Sequence, residues 1–160
     1  SGSDIGPLAV KVDALQSHAG VIFENCQFMA GFEVGPNNKG PVKLSNCGFW
    51  GNPGSGSQMV LEGQGTTTLT ATHFHNWDPN TRASTPFIKA MNGTLLMQNC
   101  DFIEDFTYAN QKQPVATFIY LGENLRSASI IGNRIPGGNA KIVNKSPDND
   151  QIVIIGNISR

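Results

Sequence analysis

A chain of 160 residues with a formal charge of −1 and only 14% charged residues is one domain's worth of protein, with room for a sizeable core. Charge this balanced gives no electrostatic grip on nucleic acid or an acidic membrane, no apolar run approaches the roughly 20 residues of a membrane helix, and no signal peptide is visible. Eighteen glycines and nine prolines beside few strong helix formers favour many short strands and turns.

Taken in order, the chain alternates two kinds of segment. Leu8–Ala14 is a short alternating apolar stretch, and Val21–Phe28 follows with apolar residues four and two before Asn25, then Cys26 and Phe28 one and three after it. Gly31–Gly35 is again a simple alternating stretch. Val42–Phe49 then repeats the longer phrase around Asn46. The pattern continues through Gln58–Gly63, Thr67–Phe74, Pro86–Met91, Leu95–Phe102, Ala116–Leu121, Ala128–Ile135, Ala140–Asn144 and Ile152–Ile158. Equivalent positions lie between 21 residues (Asn25 to Asn46) and 33 residues (Asn99 to Gly132) apart. Helical repeats hold their period more tightly; a constant phrase with elastic spacers suits a coil of short strands.

Inside the phrase, strict alternation breaks once. Val42 and Leu44 share one face and Cys47 and Phe49 share one, but Leu44 and Cys47 are three apart, as in two strands joined by a sharp bend. The bend residues are Asn25, Asn46, Ala71, Asn99, Gly132 and Gly156. Asn and Gly tolerate left-handed backbone at low cost, and Ala71 is the misfit. The alternating segments supply a third strand per coil, with Val10, Val12, Phe32, Val34, Met59, Leu61, Ile88, Ala90, Ile119, Leu121 and Ile142 inward. The three cysteines occupy one repeat position, without CxxC or Cys/His spacing, so they read as small buried hydrophobes stacked on one another rather than as a disulfide framework or a zinc site.

With those residues in place the chain resembles a right-handed parallel β-helix of the pectin-lyase-like superfamily. The resemblance implies an all-β, single-stranded parallel β-helix of about six coils of three short strands, with stacked Asn25, Asn46 and Asn99 forming a ladder at the bend. Ser1–Ser3 reads as a cloning remnant and residues 4–160 as a single β-helix domain cut from a larger protein, extracellular or at the cell surface.

Candidate chemistry lies in what varies between copies. The spacers before the phrases are short: Pro36–Pro41, Gly63–Thr66, Asn92–Thr94, Gly122–Ser127 and Ser146–Asp150. Those after the second, third and fourth phrases are longer: Trp50–Ser57, His75–Thr85 and Ile103–Val115. Loops on a rigid scaffold are where specificity usually resides. Trp50, Trp77 and Tyr108, with Asp78, Arg82, Glu104 and Asp105, offer planar aromatics beside polar groups, which suits the apolar face and hydroxyl rim of a sugar ring. The outward face of the first strands would carry Lys11, Asp13, Glu33, Glu62, Lys89, Tyr120 and Lys141. The resemblance makes that face the place for a polysaccharide, with Tyr120 as a further contact.

Catalytic motifs of the family's polygalacturonases and pectate lyases are missing. Glu62, Lys89, His73 and Asp78 are the acid–base candidates, His73 and His75 being turned outward on either side of Phe74. No metal site is expected, calcium at Pro147–Asp150 or Glu104–Asp105 being short of the six or more oxygens it takes. Ile131, Val153 and Ile155 point outward by the repeat's register and predict a contact with a neighbouring domain or subunit at the C-terminal end. The expected function is a noncatalytic carbohydrate-binding or scaffold module of a polysaccharide-degrading protein. The alternatives are a catalytic fragment of a lyase or glycoside hydrolase, and a trimeric tailspike-like segment.

Overall fold

A computed structural model describes residues 3–6, 9–15, 20–50, 56–76, 85–104 and 115–159. The chain winds into an all-β parallel solenoid of about five turns. Its strands in chain order are β1 (Ser3–Ile5), β2 (Val10–Val12) and β3 (Val21–Glu24); then β4 (Cys26–Phe28), β5 (Phe32–Val34) and β6 (Val42–Ser45). β7 (Gly48–Phe49), β8 (Met59–Leu61) and β9 (Thr66–Thr70) make the next turn. β10 (His73–Asn76), β11 (Ile88–Gln98), β12 (Asp101–Glu104), β13 (Ile119–Ile131), β14 (Ile142–Asn144) and β15 (Ile152–Ile155) complete the column, with 3-10 turns at Gly138–Lys141 and Asn149–Gln151.

Every strand pairing among the described residues is parallel. β1, β4, β7, β10 and β12 form one sheet, and β2–β5–β8–β11 and β3–β6–β9–β11 form the other two faces, joined through β11 and β13. The repeat phrase sets this register: Val21 pairs with Val42, Val42 with Thr67, Thr67 with Leu95 and Leu95 with Ala128. Like residues therefore stack as columns. Phe28, Phe49, Phe74 and Phe102 form one, with ring centroids 4.8, 4.9 and 5.0 Å apart and planes within 15° of parallel. Those separations match the strand spacing of about 4.8 Å, so the ladder and the stack reinforce one another. All four rings are buried, each worth about 1.5–3 kcal/mol of burial.

All six bend residues take the left-handed conformation, with φ between 48° and 66°, and Ala71 is among them at 48°. The misfit in sequence is thus no misfit in shape. The asparagine ladder is shorter than expected. Asn46 Nδ2 donates to Asn25 Oδ1 at 2.6 Å, but Ala71 and Gly132 flank Asn99 and offer it no amide. Where the bend is Gly132 or Gly156 the amide moves one residue on: buried Asn133 donates through Nδ2 to Asn157 Oδ1 at 3.0 Å and accepts from the Cys100 N–H at 2.8 Å.

The cysteines are free, Cys47 and Cys100 buried and Cys26 half-buried, but only Cys26 and Cys47 are neighbours in the column; Thr72 stands between Cys47 and Cys100, so the three do not stack directly on one another as expected. Each thiol also donates to the carbonyl two residues back, at 3.3–3.4 Å, and Thr72 closes the same bend through its hydroxyl at 3.2 Å.

Two of the expected short connections are not loops. Asn92–Thr94 lies inside β11 and Gly122–Ser127 inside β13, because the neighbouring turn supplies hydrogen-bond partners through the corner, at the cost of register shifts near Asn92 and Thr94. Gly93, at φ 71°, makes that corner possible: a methyl there would run into the Gly63 and Gly65 carbonyls. Lys141 also departs from expectation. It ends a 3-10 turn rather than standing outward on a strand.

Candidate functional site

The first-strand face carries a groove of about 560 Å³ lined by Val60, Glu62, Thr85, Pro86, Lys89, Met91 and Tyr120. Its geometry follows from register. Val60, Lys89 and Tyr120 are direct partners on β8, β11 and β13, so they form one outward row spanning roughly 10 Å at the spacing of parallel strands. Glu62 lies two residues beyond Val60, and because Leu61 pairs with Ala90 it stands level with Met91. Gly122 in the next turn leaves room for Met91 to lie flat, since a methyl there would be 3.0 Å from its Cε.

The groove thus has an apolar floor and polar heads. Met91, Val60, Pro86 and the Tyr120 ring supply the surface; the Glu62 carboxylate, the Lys89 ammonium and the Tyr120 hydroxyl supply donors and acceptors. Among the described residues no ion pair within 4.0 Å joins Glu62 to Lys89. Glu62 and Lys89, expected as acid–base candidates, and Tyr120, expected as a sugar contact on the same outward face, all line this groove. Glu33 continues the same row beside Val60, between Val60 and Lys11, but does not line the groove.

A second cluster occupies the third-strand face. Gln27, Gly48, His73, Asp101 and Arg134 form one outward row. Trp50 donates its indole N–H to Gln27 Oε1 and meets His73 and His75 edge-on, with centroids 5.5 and 4.7 Å away. It is 41% exposed, and a shallow groove lined by Asp4, Gln27, Met29 and Trp50 lies beside it. Gly48 leaves the space in which the Gln27 and His73 side chains meet; a methyl at Gly48 would strike both. Burial pulls the His73 imidazole below its ordinary value, Asp101 opposes that shift and His75 adds to it.

Asp78, grouped with the two histidines in sequence, lies outside the described residues. The carboxylate beside His73 is Asp101, one turn away and held by Arg134 Nε at 2.6 Å and Nη2 at 2.8 Å. The repeat itself contained that signal, because His73 and Asp101 both stand two residues after a bend.

Glu104 is placed as a fastener. Its Oε1 accepts the Val115 N–H at 2.6 Å while Lys141 Nζ donates to the Val115 carbonyl at 2.6 Å and lies 5.5 Å from the centre of the Phe118 ring. The N–H and the carbonyl of Val115 are thereby both held. Burial raises the Glu104 carboxyl above its ordinary value, against the Val115 N–H and Lys141, which lower it. Trp77, Asp78, Arg82, Asp105 and Tyr108 all lie outside the described residues. Among the described residues no three His, Cys, Asp or Glu side chains gather as metal ligands.

Comparison with family models, with curated proteins and with solved structures finds no match to this chain.

Proposed function

We propose that the chain is an extracellular, noncatalytic carbohydrate-binding module with the character of a pectin-lyase-like β-helix, and that it lays a polysaccharide in the groove over β8, β11 and β13. One observation carries this reading: the Tyr120 ring and the Met91 side chain line one groove with two charged heads, Glu62 and Lys89, that are not paired with each other. An aromatic plane beside fixed donors and acceptors matches a pyranose, which shows an apolar face and an equatorial rim of hydroxyls. An open groove across a stack of parallel strands accepts an extended polymer rather than an enclosed small molecule.

Electrophoretic retention in gels containing pectin, alginate or glucan tests it. Tyr120→Ala removes the ring and is expected to weaken retention about 5- to 20-fold, corresponding to about 1–2 kcal/mol. Trp50→Ala is expected to weaken it less, since that indole is engaged by Gln27 and the two histidines. Unchanged retention in Tyr120→Ala would count against the reading. The proximity of Glu62 and Lys89 in one groove favours, as a second reading, acid–base cleavage of the bound polymer. Release of unsaturated or reducing ends from the same polysaccharides, abolished in Glu62→Gln, would support it.

A further inference from the structure

Cys26 and Cys47 are held opposite one another on successive turns. Glu24 pairs with Ser45 before the bend, Gln27 pairs with Gly48 after it, and Asn46 Nδ2 donates to Asn25 Oδ1 at 2.6 Å within it. The register is therefore unbroken on both sides of the two thiols, which sets their Cα atoms about 4.8 Å apart, one strand spacing. A disulfide takes Cα separations of roughly 4.4–6.8 Å, provided the two Cβ atoms do not point apart. Partners in one parallel register meet that condition, because their side chains leave the sheet on the same side.

The Cys47 thiol leans toward its neighbour. Its Sγ lies 3.4 Å from the Ser45 carbonyl of its own turn and 3.5 Å from the Phe23 carbonyl of the turn that carries Cys26, and it also meets the Cys26 thiol. The Ser45 carbonyl would keep a partner without that thiol, since it accepts the Asn25 N–H at 3.1 Å. Access to the two sulfurs differs. Cys26 is half-buried and open to a reagent, whereas Cys47 is fully buried. Cys100 stands between Thr72 and Asn133 in its column, so it has no thiol beside it.

We propose that Cys26 and Cys47 are a disulfide-forming pair, closed by a low-molecular-weight disulfide such as oxidised glutathione. Cys26 gives up its proton and its sulfur attacks the S–S bond of the reagent, which releases one thiolate to take up that proton. Cys47 then loses its proton, its sulfur attacks Cys26 Sγ, and the second reagent sulfur leaves as a thiol. Two protein S–H bonds and one reagent S–S bond become one protein S–S bond and two reagent S–H bonds. The protein is oxidised by two electrons and the reagent reduced by two. The bridge ties two successive turns together beside the bend. Its second step is the slower one, because burial holds the Cys47 thiol above its ordinary value, and closing accelerates as pH rises. The pair stands independently of the carbohydrate reading.

Incubation of the folded 160-residue chain with oxidised glutathione, followed by alkylation in denaturant and peptide mapping, tests it. Trypsin cuts after Lys39 and Lys43, so Cys26 falls in peptide 12–39 and Cys47 in peptide 44–82. The expected result is a covalent pair of those two peptides that separates on reduction, with Cys100 alkylated throughout. The oxidised chain should melt roughly 5–10 °C above the reduced one. Cys47→Ser should arrest the reaction as a glutathione adduct on Cys26. Cys100→Ser should leave the bridge unchanged, which keeps the test decisive if the first variant fails to fold. No reaction, a lasting glutathione adduct on Cys26 of the parent chain, a bridge to Cys100, or a bridge that forms only in urea overturns the proposal. So does a bridge that lowers the melting temperature, because it would distort the bend rather than tie it.

Discussion

Ala71 is the residue whose replacement reads the bend most cleanly. It is exposed, holds φ at 48°, and lies in the column between Asn46 and Asn99. An L-residue with a Cβ pays roughly 1–2 kcal/mol for left-handed backbone, while glycine gives back about 0.5–1 kcal/mol through the entropy of the unfolded chain. Ala71→Gly should therefore stabilise by only about 0.5 kcal/mol. Ala71→Asn should do more, because asparagine tolerates this conformation and its amide would reach both Asn46 and Asn99 across a spacing of about 4.8 Å. Two added side-chain hydrogen bonds at an exposed edge contribute about 0.5–1 kcal/mol each, for a total near 1–2 kcal/mol. For a chain of this length that raises the melting temperature by roughly 2–8 °C. Urea and thermal unfolding of the two variants beside the parent measure it. If Ala71→Asn is no more stable than Ala71→Gly, the ladder contributes nothing; if both are less stable than alanine, the bend is not strained and the reasoning fails.

Three further outcomes follow from buried titratable groups. Glu104→Ala should cost about 1–2 kcal/mol by stranding the Val115 N–H, while Glu104→Gln, which keeps the acceptor, should be neutral or stabilising at pH 7. The sign comes from the raised carboxyl: the folded state holds that proton more tightly, so its contribution is present below the unfolded value of 4.5 and lost as pH rises through the folded one. His73 works the other way. Its value is lowered, so its contribution is present above the unfolded 6.5 and lost as pH falls through the folded value; the urea midpoint should drop between pH 7.5 and 5 less in His73→Asn than in the parent. Among the thiols, burial pushes Cys100 up to about 12 and raises Cys47, so a thiol reagent at neutral pH should modify half-buried Cys26 first and the other two only on unfolding.

Much of the architecture was legible because one phrase recurs and parallel stacking turns recurrence into columns. Asn46, Cys47 and Phe49 announced a bend residue, an inward thiol and an inward ring, and all three take those places. Outward neighbours were equally encoded but easily overlooked. His73 faces Asp101 across turns, whereas reading along the chain pointed to Asp78. Other features had no local signal. The clamp of Glu104 and Lys141 on Val115 joins residues 37 positions apart in sequence through a single backbone amide and its neighbouring carbonyl. The corners inside β11 and β13 look like polar breaks in sequence, and only the turns beside them supply the partners that keep them extended.

The most direct measurement of the carbohydrate reading is an amide NMR titration of the labelled chain with short oligosaccharides of pectin, alginate and glucan. The prediction is saturable shifts confined to Val60, Glu62, Lys89, Met91 and Tyr120 for at least one of the three, abolished in Tyr120→Ala. Shifts centred on another face, or none with any of them, would contradict it.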